Sequence, residues 1–233
     1  MYITRAILNV KSGAARQVAM SPYRTHAVVE EACDQLPECP QQPSAAFSGR
    51  GRILWRIDFD TYTAPRLYIV SPGVPAADIL LQRAGAESVE TKDYEPRLAS
   101  IGTGQAWAFR LKANPVRKVV VDKGESPREG VIGSIQGHVT YQQQLDWLLS
   151  RSEKRGFRVP ANEWGQPQVN VSNRRKERFR RGGATVTLAT AVYDGVLEIT
   201  DTDLFRNALC EGLGRAKGFG CGLMTIASLQ DAR

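Results

Sequence analysis

Two histidines, His26 and His138, are the only imidazoles in the 233-residue chain. Imidazole is the side chain whose ordinary charge change falls near neutrality, so general acid–base chemistry at physiological pH narrows at once to these two. His26 closes the run Ser21-Pro22-Tyr23-Arg24-Thr25-His26. Ser21 suits an N-cap and Pro22 the first helical position, which opens a helix running to Leu36. The spacing then sets the Tyr23 phenol and the His26 imidazole one turn apart on one face, at the positive end of that helix. Such a pair can move protons beside an anion. On the residues alone the bland reading is packing, because His26 stands three positions before Val29 and continues the apolar stripe Val29, Ala32, Cys33 and Leu36. His138 lies in a glycine-containing loop without a comparable neighbour and carries little weight.

The second feature is charge. The chain holds 31 Lys+Arg and 24 Asp+Glu, a net +7, and residues 151–181 alone carry ten cations against three acids, so the whole excess sits there. Its densest part is Asn173-Arg174-Arg175-Lys176-Glu177-Arg178-Phe179-Arg180-Arg181, followed by Gly182-Gly183 and a Thr/Val-rich stretch. As one arm of a hairpin, this run places Arg174, Lys176, Arg178 and Arg180 on one face at about 6.6 Å intervals. Such a row can follow a phosphate backbone, with Arg175, Arg181 and the upstream Arg158 as further cations. A solvated charged loop is the other reading, weakened by a single Glu among six cations. A local basic patch on an otherwise neutral chain points to a polyanionic partner.

The third feature is Gly212-Leu213-Gly214-Arg215-Ala216-Lys217-Gly218-Phe219-Gly220-Cys221-Gly222. It fails as a dinucleotide fingerprint, since Lys217 stands where the third glycine belongs and a helix precedes it. No Gly-Lys-Ser/Thr occurs, which excludes a Walker A loop. Lys217-Gly218-Phe219-Gly220 copies the start of an RNA-recognition motif, but Cys221, Gly222 and Met224 replace its stacking positions. Two readings remain. Gly212, Gly214, Gly218, Gly220 and Gly222 either let the backbone approach phosphates, with Arg215 and Lys217 adding charge, or make a tightly packed turn.

Composition narrows the class. With 42% hydrophobic and 24% charged residues the chain is globular rather than a disordered basic tail. No apolar stretch approaches the ~20 residues a membrane span needs. Residues 1–8 read as a strand and lack a signal-peptide layout. Cys33, Cys39, Cys210 and Cys221 form no CxxC pair, so neither a metal site nor a disulfide framework is expected. No cofactor is expected, and a cytoplasmic protein with reduced thiols is.

Strands are expected at 2–10, 52–60, 66–70 and 106–112, with helices from Ser21 to Leu36 and from Pro75 to Ala84. The 52–60 strand alternates Ile53, Trp55, Ile57 and Phe59 with Arg52, Leu54, Arg56 and Asp58, and so reads as half-buried. Residues 38–51 and 122–139 read as loops. A strand at 116–121 follows Pro115. Thr140 with Gln143 opens a helix burying Tyr141, Leu145 and Leu148. Asp194-Gly195 is a hairpin signal, Thr200 with Asp203 caps a helix to Glu211, and residues 222–226 form a last strand. The order is βαββαβ twice: an α+β protein of two tandem ferredoxin-like domains, 1–113 and 114–233.

These residues resemble the CasE family of CRISPR-associated endoribonucleases, the precursor-RNA processing subunit of type I-E Cascade complexes. The resemblance rests on Ala6-Ile7-Leu8-Asn9, the Pro22-Tyr23-x-x-His26 helix start, Arg110-Leu111-Lys112-Ala113-Asn114-Pro115, and the glycine loop ending Gly220-Cys221-Gly222-Leu223. It implies two ferredoxin-like domains and metal-independent cleavage of a CRISPR repeat hairpin at the 3′ base of its stem. The 2′-hydroxyl attacks the neighbouring phosphate, leaving a 2′,3′-cyclic phosphate, and the product stays bound within Cascade. By the same resemblance His26 transfers protons, Tyr23 positions or assists, and the 174–181 run grips the stem. The alternatives are a non-catalytic RNA-hairpin-binding subunit of the same fold and a DNA-binding module.

Overall fold

The computed structural model describes residues 1–34, 52–59, 64–119 and 133–230. The loop expected at 38–51 and residues 122–132 of the second expected loop lie outside them, as does Leu36.

Strand β1 (Tyr2–Leu8) leads into helices α1 (Gly13–Met20) and α2 (Pro22–Cys33). Then come β2 (Leu54–Asp58), β3 (Arg66–Ser71), α3 (Ala77–Gln82) and β4 (Ala86–Asp93). They form an antiparallel sheet of order β2-β3-β1-β4, the ferredoxin-like arrangement. Helix α2 starts as expected: the Arg24 N–H donates to Ser21 Oγ and Pro22 is the first helical residue. Its buried stripe is Val28, Val29, Ala32 and Cys33. Helix α1 was not expected, for it buries only Ala15 and Val18 and offers too short a stripe to read.

Strand β2 departs from the half-buried expectation, since Leu54, Trp55, Arg56 and Ile57 are all buried. Trp55 and Ile57 join the core under α2, whereas Leu54 belongs to the core of the second unit. A strand shared between two cores has no solvent face.

After α4 (Glu95–Ala99), β5 (Ala106–Ala113) corrects the expected domain division. It pairs with β10 (Ala184–Ile199) and β11 (Met224–Ala227), not with the first sheet. The closing position it was expected to fill is taken by β4, an edge strand whose exposed Glu87, Ser88, Glu90 and Lys92 disguise it in the sequence. A division after residue 113 would therefore cut the first strand from the second sheet. Strand β6 (Val116–Lys118), expected to open that unit, instead makes a separate ribbon with β7 (Ile135–Gly137).

The second unit continues with α5 (Tyr141–Ser152), β8 (Phe157–Arg158), β9 (Val169–Arg181), β10, α6 (Thr202–Glu211) and β11. Its sheet runs β11-β5-β10-β8 with β9 also on β10, the same order as the first. The Thr140–Gln143 capping box is present. Tyr141, however, is exposed, and Gln144, Leu145, Trp147 and Leu148 form the buried face. Asp201, not Thr200, caps α6 by accepting from the Leu204 N–H. Asp194-Gly195 is no turn: β10 runs straight through it, because Gly195 lets β9 approach, and an added Cβ would meet Gln168 O at 2.3 Å. The tight turn is at Gly182-Gly183, as expected. No helix among the described residues is long and apolar enough to cross a membrane.

Candidate active site

His26 projects from the second turn of α2, which the buried Thr25 ties down by donating its hydroxyl to Val18 O at 2.7 Å. The imidazole lies against the glycine-rich loop. A Cβ on Gly218 would sit 3.6 Å from its Cε1, and the Phe219 ring stands edge-on with centroids 6.0 Å apart. Nδ1 is shut off from solvent without a hydrogen-bond partner, Glu30 Oε1 being 3.6 Å away, while 27% of the side chain stays exposed. Tyr23, one turn earlier, is 42% exposed.

The loop itself is built mostly by packing. Gly212, Gly214, Gly220 and Gly222 all have positive φ. A Cβ on them would meet Leu54, Trp147, Trp55 and the Leu213 carbonyl respectively, at 2.5–3.0 Å. Only Gly218 turns its Cα to the histidine. Four of the five glycines are therefore explained by close packing, which sets Lys217–Phe219, a single 3-10 turn, on top of α2. Gly220→Ala should destabilise the protein by about 2–5 kcal/mol, combining a left-handed backbone with a ring clash. Gly182→Ala, with positive φ but nothing within 4 Å of the added carbon, should cost only about 1–2 kcal/mol. Urea denaturation midpoints of the two variants check the contrast.

The basic run is the first arm of the β9–β10 hairpin, and its alternate residues face opposite ways. Glu177 turns inward, paired with Lys112 Nζ at 2.9 Å and accepting from the Thr190 hydroxyl. Two residues on, Phe179 packs on Phe219 with centroids 4.9 Å apart, and the Arg181 guanidinium lies 5.7 Å from the same ring. Lys176, Arg178 and Arg180 occupy the opposite face and are exposed. Arg174 leaves the expected row. Asn173 takes positive φ (44°) where the register shifts, and Arg174 then donates to Gln144 Oε1 and Val139 O near the start of α5. Arg175 and Arg174 both line an open cavity of about 1120 Å³ with Lys176, Arg215, His138 and Gln144.

Two other expected cations differ in setting. Lys217 is part-buried, and desolvation holds its ammonium below the usual lysine value, with Arg52 and Arg155 adding repulsion. Arg158 is not brought to this site. It gives both Glu198 oxygens a hydrogen bond on β8, which pairs with the end of β10 remote from the arm. The Phe179–Phe219 pair, which joins the arm to the histidine loop, went unremarked in the sequence. Its only signal was an aromatic residue interrupting each of two cationic segments.

Two ferredoxin-like sheets thus lie in tandem, and a basic hairpin arm meets a histidine-bearing helix across one loop. The chain belongs to the CRISPR associated protein family, whose model matches residues 1–228. It is 27% identical to the CRISPR-associated endoribonuclease Cse3 of Thermus thermophilus, over 97% of this chain and all of the relative. It is also 27% identical to the Cascade subunit CasE of Escherichia coli K12, over 66% of this chain and 72% of that protein. The structure of Thermus thermophilus Cse3 bound to an RNA representing a pre-cleavage complex superposes with a TM-score of 0.78 at 26% identity, covering 97% of this chain and 98% of that one.

Proposed function

We propose that the chain is an endoribonuclease that cuts CRISPR precursor RNA at the 3′ base of the repeat hairpin and keeps the product as a Cascade subunit in the cytoplasm. The observation that carries this reading is the convergence of His26, Phe219 and the basic arm on one loop. The names of the two relatives and the RNA complex of Cse3 support it.

The chemistry suits these side chains. The nucleophile is the RNA's own 2′-hydroxyl: its oxygen bonds to phosphorus, the bond from phosphorus to the 5′-oxygen breaks, and a 2′,3′-cyclic phosphate remains. One proton leaves the 2′-hydroxyl and one reaches the 5′-oxygen. His26 is the group for proton transfer, and Tyr23, open to solvent on the same helix face, orients the reacting groups. Charge building on the phosphorane faces Lys217 and Arg181, both at Phe219 or beside it. Lys176, Arg178 and Arg180, with Arg175 and Arg215, hold the stem backbone.

Incubating the purified protein with repeat-hairpin RNA and EDTA tests the proposal. Cleavage at one position is expected, with a cyclic phosphate on the upstream fragment. Hairpin binding without any cut would leave only the RNA-binding reading, and cleavage abolished by EDTA would replace the mechanism.

A further inference from the structure

Arg56 is a full-length guanidinium inside the protein, 1% exposed. All five of its N–H groups are used. Nε and Nη2 reach Asp58 Oδ1 and Oδ2 at 2.6 and 2.8 Å. Nη1 donates to Arg110 O at 2.8 Å and to Leu223 O at 3.0 Å, and Nη2 donates to Thr225 Oγ1 at 2.8 Å. The Tyr68 ring covers it at 5.5 Å. Arg56 and Asp58 belong to β2 of the first unit, whereas the other three acceptors lie on β5 and at the start of β11, in the second.

Leu223 is the residue that follows the glycine loop. The two residues before Arg56 touch the same loop: Leu54 lies under Gly212 and Trp55 under Gly220. Three consecutive residues of β2 thus meet the loop at its start, near its end and at its exit. The loop's own bonds, Leu213 N–H to Gly222 O and Gly222 N–H to Lys112 O, close it onto β5. What the guanidinium adds is a fixed distance between that closed loop and the sheet on which α2 packs. The distance that sheet and loop set together is the one between His26 and Phe219.

We infer that Arg56 is a positioning residue for the cleavage proposed above, acting by holding residues 217–219 against His26. The inference rests on that functional reading. A lysine cannot replace the arginine, because one ammonium with three donors cannot meet a bidentate carboxylate and three further acceptors.

The test reads the position of His26 without RNA. His138→Gln leaves a single imidazole resonance, and Phe219→Leu gives its Cε1–H shift with the neighbouring ring removed. In Arg56→Lys the His26 resonance is expected to move toward the Phe219→Leu position. Hairpin affinity should stay unchanged while single-turnover cleavage falls about 10²-fold, as a small misplacement of a reacting group produces. Thr225→Val removes one acceptor and leaves the ion pair whole, so it serves if Arg56→Lys does not fold. It should shift the resonance in the same direction by less. A His26 resonance identical to wild type in the folded variants overturns the inference, as does a displaced resonance with an unchanged cleavage rate. Failure of the functional reading would show separately, in His26→Ala cleaving normally.

Discussion

His26→Ala is expected to cleave the repeat hairpin about 10²–10⁴-fold more slowly than wild type at saturating protein, while binding it equally well. That range corresponds to about 2.7–5.5 kcal/mol of transition-state stabilisation. The separation follows from where things sit. The binding charge belongs to the second unit, and His26 stands on α2 of the first, touching the loop through an edge contact with Phe219 and the open Cα of Gly218. Its Nδ1 makes no hydrogen bond that the fold would lose. Truncation therefore removes a proton-transfer group without loosening the arm. A hairpin with a 2′-deoxy nucleotide at the cut site gives the matching control, for the wild-type protein should bind it and leave it intact. Single-turnover rates measured beside equilibrium binding decide the matter, and a wild-type rate in His26→Ala would remove the residue from the chemistry.

What could be read from the sequence was local. Ser21-Pro22 fixes the start of α2 whatever surrounds it, and Thr140 with Gln143 does the same for α5. Gly182-Gly183 marks a turn because its flanks are unmistakable strands. What could not be read depends on partners far away in the chain. β4 hides as polar edge strand, so β5 was assigned to the sheet it does not join. Gly195 carries the residue type of a turn for the sake of β9's approach. Arg56 alternates with apolar neighbours like any solvent-facing strand residue, yet its acceptors lie up to 169 positions away. The site shows the same division. The chemical types of His26, Tyr23 and the arm cations were legible. The aromatic contact that joins them, and the departures of Arg174 and Arg158, were matters of tertiary pairing.

Replacing Lys176, Arg178 and Arg180 together by alanine should weaken hairpin binding about 100-fold at 0.15 M salt, with the loss vanishing toward 1 M. The estimate comes from counterion release. Each phosphate contact contributes roughly 0.7–0.9 to the slope of log affinity against log salt, so three lost contacts flatten it by about 2–3 units. These three are the residues to change because they share the outward face of β9 and are exposed, whereas Glu177, Phe179 and Arg181 on the inward face hold the arm to Lys112 and Phe219. Removing the outward charges therefore leaves the arm in place. Arg158→Ala, whose guanidinium is held by Glu198 at the other end of β10, should leave the slope as it is. The triple variant, once saturated with RNA at low salt, should still cut at close to the wild-type rate, since the arm's contacts to the Phe219 ring beside His26 come from Phe179 and Arg181 on the inward face. Titrations at several salt concentrations measure the slope directly. An unchanged slope in the triple variant would take the outward face of the arm out of the RNA interface and leave the cavity cations Arg175 and Arg215 as the phosphate-binding set.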